Sequence, residues 1–206
     1  ASRYVTLPPA PLAALSVGQS DLYPYYFKVT QQSRQTFVNN DEIENPSNLL
    51  AGRFDLAFVM IYLYPLLILA LSYNLLAQEK EQGTLAMMMS QPVALRTFVT
   101  GKVLLRAGVV LALALGFSLL AFLLSGAAQG GSFWRLLLWI GVVAAYGAFW
   151  FALALLVNAF GQSSATNALT LAGLWLVFVV IVPALLNVAV TTAYPVPSRV
   201  EMIQAT

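Results

Sequence analysis

The stretch "LAFVMIYLYPLLILALSYNLLAQEKEQGTLAMMMSQP", residues 56–92, decides the fold of this chain. From Leu56 to Gln78 it contains no charged residue, and a helix of about 20 apolar residues crosses the hydrocarbon core of a bilayer. Three charged residues in succession, Glu79, Lys80 and Glu81, then end the apolar run. The stretch therefore predicts a membrane-spanning helix that leads into a short charged segment outside the bilayer.

The composition of the whole chain also requires lipid as part of its solvent. Of its 206 residues 60% are apolar and 9% are charged, whereas a soluble domain has about 25% charged residues. Cysteine and histidine are both absent, which excludes disulfides and metal sites with thiolate or imidazole ligands. A net charge of +2 gives no basis for nucleic-acid binding. We expect a multi-pass membrane protein with no metal and no cofactor of its own.

Four apolar runs predict an all-α, polytopic fold with four transmembrane helices, named spans A to D. The predicted order is a segment outside the membrane at 1–54, span A at 55–78, a charged amphipathic helix at 79–92, span B at 93–125, a Gly-rich turn at 126–134, span C at 135–158, a short connection at 159–166, span D at 167–190 and a polar tail at 191–206.

The distribution of Lys and Arg near the span ends predicts the orientation. The connection between spans A and B and the first part of span B together have four such cations, Lys80, Arg96, Lys102 and Arg106. The turn between spans B and C is flanked only by Arg135, and the tail has only Arg199. The A–B connection is therefore predicted to be cytoplasmic, with 1–54, 126–134 and 191–206 on the periplasmic side. An N-terminal segment outside the cell without a signal peptide needs an earlier span, so we expect these to be the inner four of six spans.

The charged segment predicts an amphipathic helix. Residues Leu85, Met88 and Met89 share one face by their i, i+3, i+4 spacing, and Pro92 discourages its continuation. Two interpretations remain open from the pattern alone. The segment is either a solvent-exposed connection whose Met face lies on lipid headgroups, or a surface that binds a partner through its flexible Met side chains.

The same segment resembles the region after the second span of ABC-2-type transporter permeases. That family has a pattern of Glu, a basic residue, Glu, any residue, Gly, Thr and Leu, then Ser, any residue and Pro, and a Gly-Lys pair that opens the next helix. The matching positions here are Glu79, Lys80, Glu81, Gly83, Thr84, Leu85, Ser90, Pro92, Gly101 and Lys102. The long segment before span A resembles the enlarged periplasmic segments of a bacterial subgroup of that family.

The resemblance implies a permease of the bacterial cytoplasmic membrane that couples to a separate P-loop ATPase, which would hold ATP and Mg. It implies a docking surface at Glu79, Lys80, Glu81, Gly83, Thr84, Leu85, Met88 and Met89, and a second cytoplasmic contact at Gly161, Gln162, Ser163 and Ser164. The pattern of these four residues equally allows Ser163 or Ser164 to cap span D. A second permease subunit, identical or different, would complete the transport path, and the small residues Gly141, Ala145, Ala148 and Ala152 of span C would pack either against it or within the chain.

Several chemistries are missing from the sequence. The Walker A pattern does not occur, so this chain is not expected to bind ATP through a P-loop, and no G-x-S-x-G elbow is present. Lys102 and Arg106 lie at the start of the apolar run Val103–Ser125 of span B, and no Asp, Glu, Lys or Arg lies in the middle of an apolar run, where ion-coupled transporters place theirs. We therefore expect no enzymatic activity in this chain. A membrane scaffold or regulator without transport activity remains the alternative. Pro65, near the middle of span A, is expected to kink that helix and to relay motion.

Overall fold

A computed structural model describes residues 3–6, 12–13, 15–16, 26–29, 54–92, 94–125, 133–160 and 163–195. Four helical spans in this part of the chain are long and apolar enough to cross a membrane: Leu56–Glu81, Leu95–Leu124, Phe133–Phe160 and Ser164–Ala193. The predicted all-α, polytopic fold with four transmembrane helices is therefore confirmed. The membrane side of each connection stays a prediction.

Span A is not one regular helix. It consists of α1 (Leu56–Phe58), a π-helical turn (Val59–Leu63), α2 (Tyr64–Ser72), a turn at 73–76 and α3 (Ala77–Glu81). The Asp55 carboxylate caps its start by accepting a 2.8 Å hydrogen bond from the Phe58 N–H, which satisfies one of the free N–H groups of the first turn.

The segment 79–92 differs from the single amphipathic helix that the sequence predicts. Residues 79–81 end α3, and a separate helix α4 spans Thr84–Met89. Gly83 lies between them with a φ of +68°, a left-handed conformation that glycine adopts without strain. This conformation cannot continue a right-handed helix, so the chain changes direction at Gly83.

Spans C and D are longer than predicted, whereas span B lies within its predicted range of 93–125. Span B is α5 (Leu95–Leu124) and span C is α6 (Phe133–Phe160). Span D consists of α7 (Ser164–Trp175), a π-helical turn (Leu176–Ile181) and α8 (Val182–Ala193). Helix α6 thus begins inside the predicted turn at 126–134, and span D begins three residues before its predicted start.

Two short strands lie in the segment before span A. Strands β1 (Arg3–Thr6) and β2 (Tyr26–Val29) pair antiparallel, with Arg3 opposite Val29 and Thr6 opposite Tyr26. No strand is predicted there from the sequence. The turn at Leu12 to Ser16 lies between the two strands in the chain.

The chain divides into two compact units, and the first consists of residues 1–64 and 107–149. Its core is formed by Leu15 with Phe122 of α5 and Leu136 of α6, and all three side chains are buried. The Leu15 carbonyl also accepts a 3.0 Å hydrogen bond from the Ala57 N–H. A residue from outside the predicted spans thus anchors the N-terminal segment to three of them.

A proline in span A lies just after the π-helical turn. Pro65 is the second residue of α2 and has no N–H to offer the carbonyl of Ile61, four residues earlier. The Tyr146 hydroxyl of α6 donates a 3.1 Å hydrogen bond to that carbonyl. Pro183 occupies the same place in span D, directly after the second π-helical turn. The structure thus has a local change of helix type beside Pro65 with a compensating side-chain donor, and the kink at Pro65 and its relay of motion stay predictions.

Candidate functional site

The second compact unit, residues 65–106 and 150–206, contains the predicted docking residues. In α4, Thr84, Leu85 and Met88 are half-buried, whereas Met87 is 72% exposed. Met89 ends the helix, and its side chain lies outside the described residues. Helix α4 therefore exposes Met87. This residue is not among the predicted docking residues, although helical spacing places it opposite Leu85.

Glu79 is used within the chain. Its carboxylate forms an ion pair with Lys102 of α5 and is only 12% exposed. The Lys102 ammonium also lies 4.7 Å from the centre of the Phe98 ring, close enough for a cation–π contact. The pair ties α3 to the start of span B, so Glu79 positions the docking segment rather than lying open on its surface.

Glu81 joins the two predicted cytoplasmic contacts. Its carboxylate accepts hydrogen bonds from the Ser164 backbone N–H (2.6 Å) and from the Ser164 hydroxyl (3.0 Å). Ser164 is the first residue of α7, where free N–H groups and the helix dipole favour a negative charge. The end of α3 is thereby bonded to the start of span D, so Glu81 of the first predicted contact lies beside Ser164 of the second.

Ser163 is the N-cap of α7, because its hydroxyl accepts a 3.1 Å hydrogen bond from the Thr166 N–H. The capping interpretation of this serine is thus confirmed, and a contact role for it stays a prediction. Gly161 and Gln162 lie outside the described residues. Lys80 and Gly83 are both exposed, and a Cβ built on Gly83 would meet no atom within 4 Å.

The turn at 73–76, called the broken turn from here on, interrupts span A just before the docking segment. Side chains from the three other spans donate hydrogen bonds to the backbone carbonyls around it. The pairs are Arg106 Nη1 to Leu71, Asn158 Nδ2 to Ser72 (2.9 Å), Asn167 Nδ2 to Tyr73 (3.2 Å) and Lys102 Nζ to Leu75 (3.5 Å). A helix end leaves carbonyls without partners, and in a bilayer these must be satisfied by protein.

Two asparagines form the centre of this network. Asn158 and Asn167 are fully buried, and their amides are joined by a 3.3 Å hydrogen bond from Asn167 Nδ2 to Asn158 Oδ1. Neither residue is among the site residues predicted from the sequence. The sequence does contain a signal for them: Asn158 directly follows one long apolar run, in "LLVNAF", and Asn167 directly precedes the next, in "SATNAL". A polar group in such a position is costly unless it has a hydrogen-bond partner.

The small residues of span C lie on an exposed face in the described part of the chain. Gly141, Ala145, Ala148 and Ala152 are all exposed. A different glycine, Gly147, makes the close approach inside the first unit, against the Tyr64 side chain. The exposed row leaves packing against a second subunit as a prediction.

Comparison with known proteins gives one family. No curated protein matches the chain. The family described as ABC-2 family transporter protein matches residues 12–204, which is nearly the whole chain. Together with the four spans, this match shows that the chain belongs to the ABC-2 family of transporter proteins and is a multi-pass membrane component of a transport system.

Proposed function

We propose that this chain is the permease of an ATP-driven exporter in a bacterial cytoplasmic membrane and that a separate P-loop ATPase, carrying ATP and Mg, docks on it. The docking surface consists of exposed Lys80, Gly83 and Met87. A second permease subunit, in contact with the exposed small residues of span C, completes the substrate path. The energy for transport comes from the ATPase, because this chain has no Walker A pattern.

The observation that carries the proposal is the exposure of Met87 on a six-residue helix between two spans. An exposed apolar side chain gains little from contact with water, and the flexible, polarisable side chain of methionine suits a contact that must shift. The neighbouring Gly83 has open space around its Cα, so a partner can approach the backbone closely there. These features support a surface made for another protein.

The internal contacts of the two acids give the surface its mechanical connection. Glu79 is paired with Lys102 of span B, and Glu81 is hydrogen-bonded to Ser164 of span D. A displacement of α4 therefore acts on α3 and, through these two contacts, on the ends of two further spans. In this proposal ATP binding moves the docked ATPase, and the spans rearrange to release cargo outward.

The test is purification of the full-length protein in mild detergent with measurement of ATP hydrolysis in the complex. The native protein should retain an ATPase that hydrolyses ATP, and Met87→Asp should lose it while the permease stays folded. Gln91→Asp is the matched control, because Gln91 is exposed in the same segment and receives the same charge. A folded permease that never retains an ATPase, even after gentle cross-linking, would instead favour the membrane scaffold.

A further inference from the structure

The broken turn has a specific cause in the hydrogen-bond pattern of span A. In an unbroken helix the Leu76 N–H would donate to the Ser72 carbonyl, four residues earlier. In the structure the side-chain amide of Asn158 lies between them, with Nδ2 donating to the Ser72 carbonyl (2.9 Å) and Oδ1 accepting from the Leu76 N–H (3.3 Å). One backbone hydrogen bond is thus replaced by a bridge of two. A side chain inserted in this way is a recognised cause of helix breaks.

The backbone around the inserted amide has adjusted to it. The Leu75 N–H donates to the Ser72 carbonyl, only three residues earlier, at 3.3 Å. The Leu71 carbonyl, which would otherwise accept from Leu75, accepts from Arg106 instead. Leu76 has a φ of −123°, well away from the helical value. The break therefore extends over one helical turn.

The local sequence does not require a break. Residues 73–76 are "YNLL", without proline or glycine, and leucine is among the best helix-forming residues. The amide of Asn158 is fully satisfied in the broken state: Nδ2 also donates to the Ala154 carbonyl (2.8 Å), and Oδ1 also accepts from Asn167. The break is therefore imposed from outside span A, by contacts that can be exchanged.

We propose that Asn158 is a positioning residue for transport: its amide holds span A in the broken state, and its withdrawal lets the Leu76 N–H close on the Ser72 carbonyl and join α2 to α3. Span A then has two states, and α3 changes its direction relative to α2 between them. The assignment of this change to transport rests on the proposed docking of an ATPase on α4, because α4 follows α3 directly.

The surroundings of Asn158 contain an alternative partner for its amide. Asn167 Oδ1 is buried and has no hydrogen-bond partner among the residues that the structure describes, and it belongs to the amide already bonded to Asn158. When Nδ2 leaves the Ser72 carbonyl, this oxygen can accept from it. Ser72 Oγ is likewise buried without a partner in the described part. The joined state therefore need not leave the Asn158 amide unsatisfied.

The experiment measures the distance across the break by electron paramagnetic resonance on the full-length protein. The sequence contains no cysteine, so spin labels can be placed at Leu67→Cys and Lys80→Cys alone, both exposed positions on either side of the broken turn. In an unbroken helix these two Cα atoms would be about 20 Å apart. The control pair, Val109→Cys with Leu120→Cys, lies within regular α5, and both positions are 52% exposed.

We expect Asn158→Leu to move the Leu67–Lys80 peak away from its native position, toward the spacing of an unbroken helix, in which the two Cα atoms are about 20 Å apart, without moving the control pair. Asn158→Ser serves as a second variant, because it keeps a buried hydroxyl but is too short to bridge Ser72 and Leu76. If the native and variant peaks coincide in both variants, the proposal is overturned.

A second arm separates this inference from the proposed function. For this arm the label at Lys80 is replaced by Gln78→Cys, an exposed residue of α3 outside the docking surface. The protein with labels at Leu67 and Gln78, in complex with its copurified ATPase, is measured with and without a non-hydrolysable ATP analogue, and Asn158→Leu with the same labels gives the reference direction. A nucleotide-dependent shift in the direction of Asn158→Leu supports the role in transport. A shift caused by Asn158→Leu but never by the nucleotide overturns that role, while the contribution of Asn158 to the break stands.

Discussion

Gly147→Ala is predicted to destabilise the protein, because a methyl group at this position has no room. A Cβ on Gly147 would lie 2.2 Å from the Tyr64 hydroxyl oxygen, 3.0 Å from Cζ and 3.2 Å from Cε1. Carbon atoms in good contact are about 3.5–4.0 Å apart. Tyr64 is only 5% exposed, so its ring cannot turn away without displacing neighbouring side chains.

The magnitude follows from the cost of overpacking, about 1–3 kcal/mol for an extra methyl in a well-packed site. Tyr64→Phe removes the atom at 2.2 Å and leaves contacts of 3.0 and 3.2 Å, which need a shift of only a few tenths of an ångström. The double variant should therefore recover part of the loss, with an interaction energy of about 0.5–2 kcal/mol. Gly141→Ala in the same helix is the control, since no atom lies within 4 Å of its added Cβ.

The assay is equilibrium unfolding in mixed micelles with increasing SDS, followed by fluorescence of the four tryptophans. Gly141→Ala should stay within about 0.5 kcal/mol of the native protein, and Gly147→Ala should fall clearly below it. The reasoning is refuted if the two variants unfold together, or if Tyr64→Phe gives Gly147→Ala no recovery.

Three further predictions use the same unfolding measurement. Leu15→Ala should cost about 2–5 kcal/mol, because it removes a fully buried side chain, and it should make the N-terminal segment more sensitive to protease; unchanged protease resistance would contradict the anchoring role. Ser118→Ala should cost about 1–3 kcal/mol, because the Trp139 indole N–H loses its 2.9 Å acceptor, and Trp139→Phe in the same chain should restore much of it. Lys102→Met should cost about 1–3 kcal/mol by leaving the mostly buried Glu79 carboxylate unpaired, and an added Glu79→Gln should recover part of the loss; equal stability of the single and double variants would refute the pairing argument.

The sequence alone predicts the parts of the fold that follow from contact with lipid or water. Hydrophobic length alone predicted four spans, because each must be apolar over the thickness of a bilayer. It also located the charged segment after span A, which the structure places in α3 and α4. Local glycine chemistry could have predicted the division at Gly83, since a glycine between two helical segments often adopts a left-handed conformation.

The broken turn could not be predicted from residues 73–76, because "YNLL" contains no proline or glycine, and one asparagine does not break a helix. Its cause lies 82 positions away, in Asn158, and depends on how spans A and C pack. The partners of Glu79 and Glu81 were hidden for the same reason. Both acids were expected to face an ATPase. In the structure Glu79 forms an ion pair with Lys102, and Glu81 accepts a hydrogen bond from Ser164. Sequence reasoning identified the charged segment but could not assign its contacts.

The hydrogen bonds between Glu81 and Ser164 have a consequence for building chimaeras. A transplant of residues 79–91 from a related permease would bring a new docking surface, yet it would also replace the residue that caps span D at Ser164. A donor segment without an acid at position 81 would leave the first turn of α7 uncapped by carboxylate, whatever its fit to a new ATPase. A chimaera built to change the ATPase partner should therefore transfer residues 79–91 and residues 163–164 together.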